Sequence, residues 1–202
     1  MPSAAPLIAA LLLAACATHP VAPSPPRAGL SWTQRRAQLI GVAERFTLNG
    51  RLAASHGTTG ISAGIHWEEH GADARLSLSG PLGLGGARVQ LTGSTLSLQT
   101  SDGRTLSGDA AAAELTRQLG FDPPLASLRF WVIGTPDPTP TDDAGAISLD
   151  DQQRLTQLVQ EGWTIHYDAY MSAAGQWLPR RLTVSREDLR LRLVIEDWQV
   201  AR

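Results

Sequence analysis

His66 and His70 are the first pair to weigh as metal ligands, two imidazoles four residues apart. They straddle the end of a stretch that alternates as a strand, where this spacing does not set both rings on one face. No cysteine partner and no His-Glu-x-x-His element accompanies them, so the pairing reads as chance and no metal is expected. Gly83-x-Gly85 lacks the third glycine of a dinucleotide loop and runs into a strand, not a helix, so no phosphate cradle and no cofactor are expected. The acidic pairs Asp142-Asp143 and Asp150-Asp151 read as solvated loop carboxylates. The 6 tryptophans could form a sugar platform, but Trp67 and Trp163 sit on apolar strand faces and read as core. No catalytic set emerges, and a non-enzymatic role is expected.

The stretch Gly80-Pro81-Leu82-Gly83-Leu84-Gly85-Gly86 stands out for another reason. Alternating runs flank it, Arg75–Ser79 before and Ala87–Leu91 after, so it reads as a loop between strands. It carries two leucines, four glycines and no charge, which leaves Leu82 and Leu84 little local cover. Two readings follow: a tight turn whose leucines fold back onto the sheet, or an apolar tip that touches a membrane or a lipid-bearing partner.

Cys16 is the single cysteine, so no intrachain disulfide forms. The apolar run Leu7–Leu13 before it is shorter than the roughly 20 residues that span a bilayer and has the length of a signal-peptide core. With Leu13-Ala14-Ala15 directly ahead of Cys16, the site resembles the bacterial lipoprotein cleavage box. That resemblance implies thioether diacylation of Cys16, cleavage before it, and acylation of the new amino group. Ala17, not aspartate, follows, which by the same resemblance favours the outer membrane. Met1–Pro6 has no Lys or Arg, a departure from the usual signal. Residues 1–15 are therefore expected to be a lipoprotein signal peptide. Residues 16–30, with Pro20, Pro23, Pro25 and Pro26, are expected to be the acylated cysteine and an extended tether. Residues 31–202 are expected to form one domain. Net charge is -2 and no lysine occurs, so nucleic-acid binding is not expected.

Ser31 is a plausible cap for a helix running to about Glu44, with Trp32, Leu39 and Val42 on one face. Short strands follow: Phe46–Ala53; a run with Ile61, Ala63, Ile65 and Trp67 on one face; the two runs beside the Leu82 loop; Leu96–Leu98; and Thr105-Leu106. Asp109–Leu119 changes to a helical period, with Asp109 as cap and Gly120 as stop. Pro123-Pro124 opens a second helix, Leu125–Ile133. After a loop at 134–145 the strand pattern resumes at Trp163–Tyr167, Leu178–Ser185 and Leu189–Ile195. Many short strands without strand–helix–strand alternation predict an α+β, mainly antiparallel fold.

Several residues in order then carry a family resemblance: Cys16 in its box, Trp32, Gly50-Arg51, Trp67, Pro81-Leu82-Gly83, Leu128–Gly134, Gly162-Trp163 with Tyr167 and Tyr170, Leu178-Pro179 and Asp197-Trp198. Over nearly its whole length the chain resembles the outer-membrane lipoprotein receptor LolB of Gram-negative bacteria. The resemblance implies an incomplete, half-open antiparallel β-barrel whose helices cover a concave apolar face. It implies a lipid-anchored receptor on the periplasmic face of the outer membrane. Such a receptor accepts lipoproteins from the carrier LolA, holds their acyl chains, and inserts them among the phospholipids of the inner leaflet. The membrane-insertion loop would be Pro81, Leu82, Gly83 and Leu84. Strand-face candidates for the acyl-chain cavity are Ile61, Ile65, Trp67, Leu76, Leu78, Val89, Leu91, Leu96, Leu98, Leu189, Leu191, Leu193 and Ile195, some of which must be plain core. Leu128, Trp131 and Val132 are lid candidates, and a monomer is expected. Two other classes stay open: a structural envelope lipoprotein with a solid interior, and a hydrolase of envelope glycans or lipids.

Overall fold

The computed structural model describes residues 30–80, 86–139 and 145–200. Helix α1 (Trp32–Ala43) starts at a capping box. Ser31 Oγ accepts from the Gln34 backbone N–H at 3.4 Å, and Gln34 Oε1 accepts from the Ser31 N–H at 3.0 Å. Leu39, Val42 and Ala43 face inward, with Trp32 packed at the margin. Strands β1 (Arg45–His56), β2 (Thr59–His70), β3 (Asp73–Ser79), β4 (Gly86–Thr92), β5 (Thr95–Gln99) and β6 (Thr105–Ser107) follow as a meander. Helices α2 (Asp109–Leu119) and α3 (Leu125–Trp131) then lead to a second meander. It comprises β7 (Ala146–Leu149), β8 (Leu155–Gln160), β9 (Trp163–Ala173), β10 (Gln176–Arg186) and β11 (Leu189–Val200).

All these strands form one antiparallel sheet of order β6-β5-β4-β3-β2-β1-β11-β10-β9-β8-β7. The first and last strands, β1 and β11, are the seam between the meanders, while β6 and β7 are edges that do not pair with each other. The sheet is therefore open, as the expected half-open architecture requires. It also curls. Val89 on β4 and Val184 on β10 are five strand steps apart, roughly 24 Å in a flat sheet, yet both line one small cavity.

The seam contains a bulge. Asn49 pairs with Asp197 but Gly50 pairs with Ile195, so Glu196 is extra on β11. A Cβ on Gly50 would collide with the Val194 carbonyl oxygen. The slip moves the inward positions of β11 from Leu189, Leu191, Leu193 and Ile195 to Trp198. Trp198 packs 5.5 Å from the Phe46 ring and donates to the Pro179 carbonyl at 2.9 Å.

Four local expectations change. Gly108, at φ 58, and not Asp109, is the N-cap of α2, and no side chain caps it. Helix α3 stops at Trp131, and Val132 to Gly134 turn away from it as buried backbone with Gly134 at φ 87. Strands β7 and β8 lie where no strand was expected. His66 and His70 both lie within β2, so four residues puts them on the same outward face, not opposite ones. At roughly 13 Å apart they still share no ligand. His66 Nδ1 instead meets Asn49 Oδ1 at 2.7 Å. Among the described residues no helix is long and apolar enough to cross a membrane.

Candidate functional site

Alternation delivers one apolar face per strand, and the curl brings those faces together. Between them and the two crossing helices lies a cavity of about 70 Å³ whose lining side chains are all apolar. Its walls are Leu52 of β1, Ile65 and Trp67 of β2, Leu76 and Leu78 of β3, Val89 of β4, Leu182 and Val184 of β10, and Leu191 and Leu193 of β11. Its roof is Leu115 and Leu119 of α2, Phe121 and Pro123 of the link, and Leu125 and Leu128 of α3.

Of the residues singled out from sequence, Ile65, Trp67, Leu76, Leu78, Val89, Leu191, Leu193 and Leu128 come together on this cavity. Leu91 lies beside a second cavity, and Leu96 is half-buried against the core. Leu98 and Ile195 are fully buried, and Leu189 nearly so, away from the cavity. Trp131 and Val132 are also fully buried and do not touch it. Ile61 is 41% exposed, close to the β1–β2 turn. Cys16, Pro81, Leu82, Gly83 and Leu84 lie outside the described residues. The strand ends that flank the loop, Ser79 and Gly86, pair with each other. They stand at the same end of the sheet as the β1–β2 turn and Ile61.

Polar contacts fix the roof at its margins. On α2, Glu114 accepts from Arg117 at 2.6 Å and from Gln118 at 2.8 Å, and Arg104 lies 3.8 Å away. The Arg117 and Gln118 hydrogen bonds hold the Glu114 carboxyl down to about 2. On α3, Arg129 Nε pairs with Glu69 Oε1 at 3.2 Å, and Arg129 Nη2 donates to the Ala43 carbonyl at 3.3 Å. Trp67 Nε1 donates to Glu69 Oε2 at 2.9 Å. Burial pushes the Glu69 carboxyl above its ordinary range, against the pull of the Trp67 hydrogen bond and the Arg129 charge. So α3 is tied to β2 by a buried ion pair at the edge of the apolar space.

The second cavity, about 300 Å³, adjoins the first and shares Trp67, Leu76 and Leu125 with it. Glu69, Arg129, Asp137 and Thr139 give it a mixed lining. Sequence reading did not find these polar residues. The signal was there for Glu69: it continues the odd-numbered inward face of Ile65 and Trp67, where a carboxylate is out of place. The roof leucines of α2 were equally legible from their spacing, Leu115 and Leu119 standing one turn apart. Among the described residues no cluster of His, Cys, Asp and Glu is placed to hold a metal ion.

A family model described as outer membrane lipoprotein LolB matches residues 44–198. The chain is 35% identical over 193 residues to the outer-membrane lipoprotein LolB of Azoarcus sp. strain BH72, covering 96% of this chain and 92% of that one. It is 36% identical over 190 residues to the LolB of Thiobacillus denitrificans, covering 94% and 92%. In fold it is similar to a putative outer membrane lipoprotein-sorting protein domain from Vibrio parahaemolyticus. That match has a TM-score of 0.52 and 10% identity, over 85% of this chain and 92% of that one. The chain belongs to the LolB family of outer membrane lipoproteins.

Proposed function

We propose that this protein accepts lipoproteins from a LolA-like periplasmic carrier, shelters their acyl chains beneath α2 and α3, and inserts them into the inner leaflet of the outer membrane. Acylated Cys16 anchors it there, and residues 17–30 let the folded body stand off from the anchor. The observation that carries this reading is the wholly apolar cavity between a curled sheet and two crossing helices. A structural lipoprotein with a solid interior would have no use for such a space.

Exposing acyl chains to water costs roughly 0.8 kcal/mol per methylene, so three chains free in the periplasm would cost tens of kcal/mol. An apolar shelter removes that barrier without covalent chemistry. Transfer then needs only a downhill order of affinities from carrier to receptor to bilayer. At about 70 Å³ the cavity is far below the roughly 300–1,000 Å³ of ordinary ligand pockets. Cargo is therefore admitted by outward movement of α2 and α3, whose leucines slide on the sheet face.

The loop at 81–85 acts at release. A single buried leucine contributes only about 1.5–3 kcal/mol, too little to anchor the protein but enough to perturb a leaflet locally. Leu82→Glu should accept cargo from the carrier as the wild type does and deposit it poorly in liposomes. Normal deposition by Leu82→Glu would remove the loop from the mechanism. Failure of the wild type to bind a fluorescent fatty acid would remove the shelter itself.

A further inference from the structure

The two adjoining cavities differ in chemistry and in place. The apolar one reaches Leu119 and Phe121 at the C-terminal end of α2. The mixed one is bounded by Ala72 in the β2–β3 turn and Gly93 in the β4–β5 turn, at the other end of the sheet from the β3–β4 loop. Resting on the transport reading above, we propose that the mixed cavity holds the neutral, carbonyl-rich junction of a triacylated cysteine while its tails occupy the apolar space.

The lining suits that junction. Ester and amide carbonyls accept hydrogen bonds, and Arg129 is the lining's strong donor. Two of its nitrogens have assigned contacts, to Glu69 and to the Ala43 carbonyl, out of five N–H groups. Its side chain retains 22% exposure, so it is reachable from the cavity. Asp137 is already engaged, accepting from Ser127 Oγ at 2.9 Å and from the Thr139 N–H at 2.8 Å. The lining carries Glu69 and Asp137 against Arg129, which makes one surplus negative charge. A phospholipid phosphate would meet two carboxylates across one guanidinium, whereas an N-acylated cysteine junction brings no charge. The cavity therefore selects lipoprotein cargo against bulk phospholipid.

Place adds a direction. With the junction between the 72 and 93 turns, the tails extend toward the end where the 81–85 loop leaves the sheet. Cargo polypeptide then points away from the bilayer, and deposition is a tails-first translation that needs no inversion.

The test uses the full chain carrying Cys16→Ala and three probes: a fluorescent fatty acid, a synthetic triacylated cysteinyl peptide, and phosphatidylglycerol. Ala126 is an exposed position of α3 that lines the mixed cavity. Ala126→Trp should weaken the triacylated peptide about tenfold and leave the fatty acid and phosphatidylglycerol within about twofold. Ala72→Trp, filling the same space from the opposite wall, should do the same. If both variants bind the peptide as the wild type does, or lose all three probes in parallel, the assignment of the mixed cavity is overturned. If the wild type binds none of the probes, the transport reading falls first. A photoreactive group on the peptide's first amide should crosslink near Ala72 and Gly93. Crosslinking at Ile61 instead would reverse the proposed direction and refute it.

Discussion

Strands β8–β9 and strands β2–β4 present the same kind of alternating apolar face, yet the chain crossing them fills one and bridges the other. On the β8–β9 side, Trp131, Val132 and Ile133 enter the inward face beside Trp163, Ile165 and Tyr167, all at 6% exposure or less. The two indoles lie 6.3 Å apart, and the ring N–H and the carbonyl of Trp131 both have partners. Trp131 Nε1 donates to Gln160 Oε1 at 2.8 Å, and the Tyr167 hydroxyl donates to the Trp131 carbonyl at 2.9 Å. On the β2–β4 side, leucines at 115, 119, 125 and 128 meet leucines and Val89 across a gap. Leucine contacts carry no direction, and the roof there is held by the Glu69–Arg129 pair at its margin. A rigid plug on one side and a slippery roof on the other is the division of labour a holder of flexible chains needs. Under the proposed function, the first would fix where α3 pivots and the second would let the helices rise.

The contrast can be broken most directly at the plug. Trp131→Ala removes a fully buried indole and one of the two donors to Gln160 Oε1, the other being the Asp137 N–H. It should cost about 3–5 kcal/mol in urea unfolding. Leu119→Ala, on the half-buried roof, should cost about 1 kcal/mol. Equal losses for the two variants would mean that both sides are packed alike.

The marginal ion pair comes next. Glu69→Gln keeps an acceptor for Trp67 and removes the buried charge, while Arg129 is 22% exposed and keeps the Ala43 carbonyl, so the change should cost no more than about 1 kcal/mol at pH 7. Its pH dependence has a definite sign. Burial holds the folded-state carboxyl above the ordinary range of a glutamate, so the folded protein binds the extra proton. Stability in the wild type therefore rises as pH falls from 7 toward 4.5, and is lost again as pH rises through the folded value. Glu69→Gln lacks this slope. Parallel stability–pH curves for the two proteins would show that Glu69 titrates as it does in the unfolded chain.

Much of this architecture is legible in the sequence. Ser31, the inward face Ile65–Trp67 and the stop at Gly120 are local signals, and each is where its chemistry requires. The α+β class follows from alternation without strand–helix–strand repeats, whereas the open sheet was implied only by the family resemblance. What was not legible depends on contacts distant in sequence. Ile61 and Ile65 share a parity, yet only Ile65 lines the cavity, and Ile61 near the β1–β2 turn is 41% exposed. Trp131 and Leu128 sit one turn apart on α3, yet one faces the β8–β9 plug and the other the cavity. Strand β8 escaped notice because its inward residues, Leu155, Leu158 and Gln160, break strict alternation. The parity change at Gly50 depends on the partner strand, β11, which is nearly the whole chain away.

The finest test fills the gap itself. If the space under the roof is empty and apolar, enlarging Leu128 should find room there. At about 24 cal/mol per Å³, filling the whole 70 Å³ is worth at most about 1.7 kcal/mol. A phenyl ring claims part of it, so Leu128→Phe should stabilise the protein by about 0.5–1 kcal/mol. The same ring would occupy volume that acyl chains need and tighten the roof that must lift, so fluorescent fatty acid binding should weaken several-fold. The matched change on the plugged side, Leu158→Phe, has no room, since Leu158 is fully buried among β7–β9. It should destabilise by about 1–3 kcal/mol and leave fatty acid affinity unchanged at temperatures where the variant stays folded. Opposite signs from one chemical change at two positions are what a hollow half and a filled half predict. Destabilisation at both would mean that the roof packs as tightly as the plug, and that the helices have no slack from which to open.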